Sequence, residues 1–157
     1  MFFILIISLS IIIYQDFKER AVWLVNLLLS MVVIAIIHAK NSYDLTIFLK
    51  TILINLMVVI IISLILLVYT LLFLKRKFSE AIGLGDLIFF CILAVGFPTY
   101  SFLIIFCTSI IFSQIVYLLL SLSKNISTIP LAGLQSLFLI IILILNATLH
   151  MVDLYAM

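Results

Sequence analysis

The 157-residue sequence has little charge and few of the residues that shape soluble domains. Lysine, arginine, aspartate and glutamate together make up 9% of it, with only four glycines and two prolines, whereas 68% of the residues are hydrophobic. Its mean hydropathy of +1.58 is far above that of soluble domains. The sequence therefore predicts an integral membrane protein. A separate soluble catalytic domain is excluded, because no polar segment exceeds about a dozen residues.

The chain is equally poor in residues that bind metals or carry redox chemistry. Its two cysteines, Cys91 and Cys107, lie within apolar runs, without metal-ligand spacing and without a nearby histidine. Packing is the favoured role for such thiols. We infer no metal site and no redox chemistry from them, and nucleic acid is not an expected partner.

Apolar runs predict an all-α, polytopic fold with six transmembrane helices in a single domain, residues 1–157. The first run, 2–14, lacks the basic start and the cleavage pattern of a secretory signal, so we interpret it as a retained span that continues through Asp16. The run 45–74 would be about 45 Å long as a helix, so we expect it to tilt, to project beyond the bilayer, or to carry Lys50 snorkelling at the far interface. The run 87–95 is short, which predicts either a locally thinned membrane or shielding of the helix by its neighbours. The predicted spans after the first are 21–37, 45–74, 87–95, 100–120 and 134–150.

Charge placement gives the predicted orientation. Two spans separate Asp16 from Asp86, so both aspartates fall on the same side of the membrane. That side also carries six of the eight basic residues: Lys18, Arg20, Lys75, Arg76, Lys77 and Lys124. Basic residues concentrate in cytoplasmic loops, which places the aspartates at the cytoplasmic face and both termini outside.

The segment Gly83-Leu84-Gly85-Asp86 is the strongest functional signal in the chain. An ionisable residue beside an apolar run is costly in lipid and marks a candidate functional site. Glycines let the backbone turn and let another backbone approach closely. Alone, this segment is also compatible with a turn into a capped helix, and Asp16 alone with a solvated helix end.

Two carboxylates on one face can divide acid and base work on a bound water. When two such groups lie close together they share one proton near neutrality. Asp86 is predicted to open a helix and Asp16 to close one. From the dipoles of their own helices, we expect Asp16 to carry the shared proton and Asp86 to act as the base.

These residues resemble the GxGD aspartyl proteases of membranes, and the short chain resembles the type IV prepilin peptidases among them. The resemblance consists of Asp16 followed by Lys18 and Arg20, and of the Gly83 to Asp86 motif after a basic loop. Ile129-Pro130, before the last span, is similar to a proline-containing segment of the family.

The resemblance implies cleavage of basic leaders from pilin-like precursors at the cytoplasmic membrane face. Asp16 and Asp86 would be the catalytic pair, Gly83 and Gly85 would admit the substrate backbone, and no metal or organic cofactor would be needed. The implied location is the cytoplasmic membrane of a cell with type IV pili, with the lipid bilayer as the other partner; the oligomeric state is unknown.

The chain departs from the family at several points. Many members have a lysine where this chain has Ile88, and a proline near Ala21-Val22. The cysteine-bearing segment of the bifunctional enzymes is missing, so we predict peptidase activity without methyltransferase activity. The alternative is a small proton- or cation-coupled transporter, or an assembly subunit, that uses the same aspartates. No internal repeat supports that alternative.

Overall fold

A computed structural model describes residues 1–74, 83–123, 130–149 and 154–155, and every regular element in these ranges is helical. The prediction of an all-α fold is therefore confirmed for the described chain. Predictions for the basic segment Lys75 to Lys77, Glu80, Lys124, Ile129 and His150 concern positions outside the described residues. The helices are α1 (Phe2–Glu19), α2 (Leu24–Asn41), α3 (Leu45–Tyr69, continued by a π-helical segment Thr70–Leu74), α4 (Leu84–Gly96), α5 (Thr99–Ser123) and α6 (Leu131–Leu149).

Four of these helices are long and apolar enough to cross a bilayer: α2, α3 with its continuation to Leu72, α5 and α6. Their outer surfaces expose large apolar side chains, as lipid contact requires; Val25 is 76% exposed and Tyr100 75%. The chain is therefore a multi-pass helical membrane protein. The other two helices differ, since α4 has only 13 residues and α1 ends in a cluster of charged residues.

The short helix α4 lies at the centre of the helix bundle. It packs against α2, α3, α5 and α6, and its second half is buried on nearly every side. This enclosure is the shielding by neighbours that was one of two expectations for so short a helix, while local thinning of the membrane stays a prediction. A Cβ atom at Gly96 would lie 2.5 Å from Cδ1 of Ile34, so a larger residue there would force the Ile34 side chain of α2 to shift.

Side chains from two other helices cap the carboxyl end of α4. The Nδ2 group of Asn55 donates hydrogen bonds of 2.9 Å to the carbonyls of both Ala94 and Phe97. Nδ1 of His38 bonds the carbonyl of Val95 at 2.8 Å. These bonds satisfy carbonyls that a helix end leaves without intrahelical partners.

The contact at Asn55 also shows how α3 is placed along α4. Asn55 is the eleventh residue of α3 and lies level with the end of α4, while Ser63 and Leu67 line a groove with Cys91 and Leu87 farther back along α4. The residues before Asn55 therefore extend about 15 Å past α4. Projection of this segment beyond the bilayer stays a prediction.

Candidate active site

Asp16 lies in the last turn of α1, where the chain leaves the helix. The helix ends at Arg20, whose backbone is left-handed (φ 53°). The following loop is tied back to α1, since the backbone N–H of Trp23 donates to Oε1 of Gln15 at 3.1 Å. Asp16 is only 8% exposed, so the end of α1 turns this carboxylate into the bundle rather than into solvent.

Asp86 lies in the first turn of α4, and Gly83 is the N-cap residue. The backbone N–H of Gly83 donates to Oδ2 of Asp86 at 3.3 Å. A Cβ atom on Gly83 would lie 3.2 Å from the same oxygen, so a larger residue would press on the carboxylate. In this structure, Gly83 therefore supports Asp86 directly.

The start of α6 joins the two aspartates. The N–H of Ala132 donates to Oδ1 of Asp86 at 2.9 Å, and the N–H of Gly133 donates to Oδ2 of Asp16 at 2.6 Å. The amino end of a helix favours negative charge, because its first N–H groups have no intrahelical partner. The structure thus brings both predicted carboxylates to consecutive peptide groups of one helix end.

Gly133 lets Asp16 approach the start of α6 closely. A Cβ atom at this position would lie 3.1 Å from both Cβ and Oδ2 of Asp16, and 3.3 Å from the ring of Phe17. These distances are tighter than ordinary contact, so the missing side chain lets Asp16 reach the helix end. Close approach, rather than an unusual backbone angle, explains this glycine.

Sequence reasoning missed Ala132 and Gly133 because it began the last span at Leu134 and assigned Gly133 to a loop. The helix begins three residues earlier, at Leu131, and the carbonyl of Pro130 accepts the N–H of Leu134 at 3.0 Å. Proline is common at helix starts, where its missing N–H costs nothing. Pro130 was therefore the available signal for a helix end near the aspartates.

Gly85 has a different environment from the other glycines of the site. A Cβ atom there would lie 3.9 Å from Cβ of Val22, which is an ordinary contact. The resting fold therefore does not require glycine at this position. A substrate-binding role for Gly85 stays a prediction, as it does for Gly83.

Both carboxylates lie outside the apolar stretches 2–14 and 87–95. Burial, and secondly the charge of Asp16, raise the pKa of Asp86 from 3.8 to about 6, against opposing hydrogen bonds from Ala132 and Gly83. Burial also raises the pKa of Asp16, opposed by the N–H of Gly133 and the charge of Arg20.

Both shifts favour a proton on the pair near neutral pH, and the second cause at Asp86, the charge of Asp16, leads us to propose Asp86 as its holder. The order expected from the sequence placed that proton on Asp16 and stays the alternative. That expectation counted only the dipole of each aspartate's own helix. The amino end of α6 faces both groups and offers Asp16 a 2.6 Å hydrogen bond that compensates for its position at a helix end. Burial then dominates the balance at Asp86.

The rest of the described neighbourhood adds no metal centre. Within residues 1–74, 83–123, 130–149 and 154–155, no group of three histidine, cysteine, aspartate or glutamate side chains has the arrangement of a metal site. Glu19, the nearest acidic rival along α1, is exposed. The pair of carboxylates is therefore the feature whose chemistry needs explanation.

The fold and the site together define a multi-pass helical membrane protein with two carboxylates held at one helix end. The chain matches no protein-family model, no curated protein and no solved structure. Its function must therefore be argued from the site itself.

Proposed function

We propose that this chain is an aspartyl endopeptidase that cuts membrane-bound precursors at the face where Asp16 and Asp86 lie. The observation that carries the proposal is the pairing of these two carboxylates on the consecutive N–H groups of Ala132 and Gly133. Two like charges that interact inside a fold are costly. Their retention at a helix junction is typical of sites that perform chemistry.

The proposed mechanism needs one protonated and one ionised carboxyl group. The ionised group, assigned to Asp16, removes a proton from a water molecule as its oxygen attacks the peptide carbonyl carbon. Asp86 donates its proton to the carbonyl oxygen in the same step. When the gem-diol intermediate collapses, the C–N bond breaks and the leaving amine takes the proton now held by Asp16. One diol hydroxyl returns its proton to Asp86, which restores the starting protonation of the pair.

We further propose that the substrates are pilin-like precursors with basic leaders, cut without subsequent methylation. All six helices would cross the cytoplasmic membrane, with both termini outside and the aspartates at the cytoplasmic face, as the distribution of basic residues suggests. No cofactor takes part in this chemistry. Gly85 would lie against the substrate backbone, since its surroundings leave room there.

The test is cleavage of a pilin-like precursor in membranes by the wild-type chain and by Asp16→Asn and Asp86→Asn at matched expression. We expect the precursor to become shorter with the wild type, and the rate to fall about 10³-fold or more with either variant. Glu19→Gln is the matched control, because it removes an exposed acid from the same helix end and should cleave normally.

Cleavage that survives both aspartate substitutions would refute the aspartyl mechanism. A wild type that moves protons or cations across a vesicle membrane in an Asp16- and Asp86-dependent way, without shortening any precursor, would establish the transporter alternative instead.

A further inference from the structure

Gln135 is a buried amide in α6 with no exposed surface. Among the residues that the structure describes, neither its amide oxygen nor its amide nitrogen has a hydrogen-bond partner. Burying an unpaired amide costs roughly 1–3 kcal/mol, and native structures seldom retain such groups without a reason. Its neighbour Ser136 is equally buried but satisfied, since its hydroxyl donates to the carbonyl of Ala132 at 2.7 Å.

The position of Gln135 relates it to the aspartate pair. It follows Ala132 by three residues, so the two share a helix face, the buried face that also carries Leu139 and Leu143. Side chains of a helix lean toward its amino end and cover the preceding turn. The preceding turn is the one whose Ala132 N–H holds Asp86.

We infer that Gln135 binds the backbone of the substrate next to the bond that is cut. A peptide group offers one N–H donor and one carbonyl acceptor, and the Gln135 amide offers the complementary acceptor and donors. An extended precursor segment would therefore satisfy both unpaired atoms at once. This inference rests on the proposed peptidase function and assigns Gln135 a substrate-positioning role.

The test separates binding from stability and from cleavage. In the Asp86→Asn background, which holds the precursor without cutting it, the affinity for a fluorescent pilin-like precursor is compared with and without Gln135→Leu. Leucine approximates the shape but has no hydrogen-bonding groups. We expect affinity to fall about 10-fold or more, because two bonds to the peptide are lost.

The melting temperature of the free protein in detergent provides the second measurement. Gln135→Leu should melt at the same temperature or higher, because it removes an unpaired buried amide. Ser136→Ala is the matched control on the next residue. It should melt lower, because it breaks a satisfied bond, while its affinity for the precursor stays unchanged.

The inference is overturned if Gln135→Leu binds the precursor as tightly as its parent. It is also overturned if Gln135→Leu and Gln135→Met both lower the melting temperature as Ser136→Ala does, since the amide would then have a structural role. Failure of the proposed function gives a different pattern: Gln135-dependent binding of the precursor persists, but the protein with both aspartates intact does not cleave it.

Discussion

The two ends of α4 use hydrogen bonds in opposite ways. At the carboxyl end, neutral side chains of His38 and Asn55 donate to backbone carbonyls of the helix. At the amino end, backbone N–H groups of another helix donate to side-chain carboxylates. At the carboxyl end, side chains donate to backbone carbonyls, whereas at the amino end backbone N–H groups donate to side-chain carboxylates.

This difference indicates a structural role for the carboxyl end of α4 and a chemical role for its amino end. The carboxyl end satisfies polar groups that any buried helix end must satisfy. At the amino end, burial and secondly the charge of Asp16 raise the pKa of Asp86, so this arrangement reduces stability near neutral pH. Local rules of stability are commonly broken where a protein has a function.

Among substitutions at the two ends of α4, we expect Gly133→Ala to reduce precursor cleavage most. The added Cβ would lie within about 3.1 Å of Asp16 and displace its carboxylate from the helix end. We expect cleavage to fall roughly 10²-fold, because catalytic groups lose activity steeply when misplaced. Precursor cleavage at matched expression is the measurement.

Gly85→Ala is the control for Gly133→Ala, since its Cβ would meet Val22 at an ordinary 3.9 Å. It should leave the melting temperature and kcat nearly unchanged and raise KM if Gly85 faces the substrate. Equal losses of kcat in both variants would contradict the claim that Gly133 acts by close approach to Asp16.

The next effect is on stability at the opposite end. Asn55→Ala leaves the carbonyls of Ala94 and Phe97 without their donor. We expect unfolding to become easier by about 2–3 kcal/mol, because two buried acceptors lose their partner. Cleavage per folded molecule should stay within a few-fold of the wild type. A loss of cleavage as large as that of Gly133→Ala would show that the two ends are not separable.

A third prediction concerns pH and the proton at Asp86. Its pKa is raised from 3.8 to about 6, so the folded state binds this proton more tightly than the unfolded state. Stability should therefore fall as pH rises through this window. We expect the melting temperature in detergent to drop between pH 4 and pH 7, and to drop less in Asp86→Asn.

Infrared spectra test the same group directly. The carboxyl band lost in Asp86→Asn should titrate near pH 6 in the wild type and at lower pH in Asp16→Asn, where the repelling charge is gone. If the protonated band at pH 5 to 6 belongs to Asp16, the assignment of the proton to Asp86 is wrong.

The smallest effect is expected from Ser8→Ala, far along α1 from the carboxylates. The Ser8 hydroxyl bonds Oδ1 of Asn26 at 2.8 Å and lies 2.6 Å from the hydroxyl of Ser30. Neutral hydrogen bonds between membrane helices contribute about 0.6 kcal/mol on average. Steric-trap or denaturant unfolding should show a loss of this order, with unchanged cleavage.

Sequence alone predicted the features that depend on the lengths of apolar runs, whereas the orientation inferred from charge stays a prediction. The long apolar runs predicted helices, and the even number of spans between Asp16 and Asp86 predicted that they would share a face. Short-range patterns also marked Gly83 as a turn into α4. These features survive because each follows from the local sequence and the thickness of a bilayer.

What the sequence did not reveal depends on contacts between distant segments. Gly133 contacts Asp16, which is 117 positions away in the chain, and no local sequence pattern predicts this contact. The two N–H donors at the start of α6 were missed for the same reason, since they belong to a third helix. The boundary of α6 was misplaced because Leu131 to Gly133 looked like the end of a polar loop.

Both carboxylates are hydrogen-bonded to consecutive peptide groups, so the backbone fixes the distance between their two anchoring points. Consecutive Cα atoms are about 3.8 Å apart whatever the helices around them do. If a thinner or curved bilayer tilts α6, both anchoring points move together, and the gap between the acids is set by covalent geometry rather than by helix packing. Membrane deformation should therefore alter access to the site before it alters the spacing of the two acids.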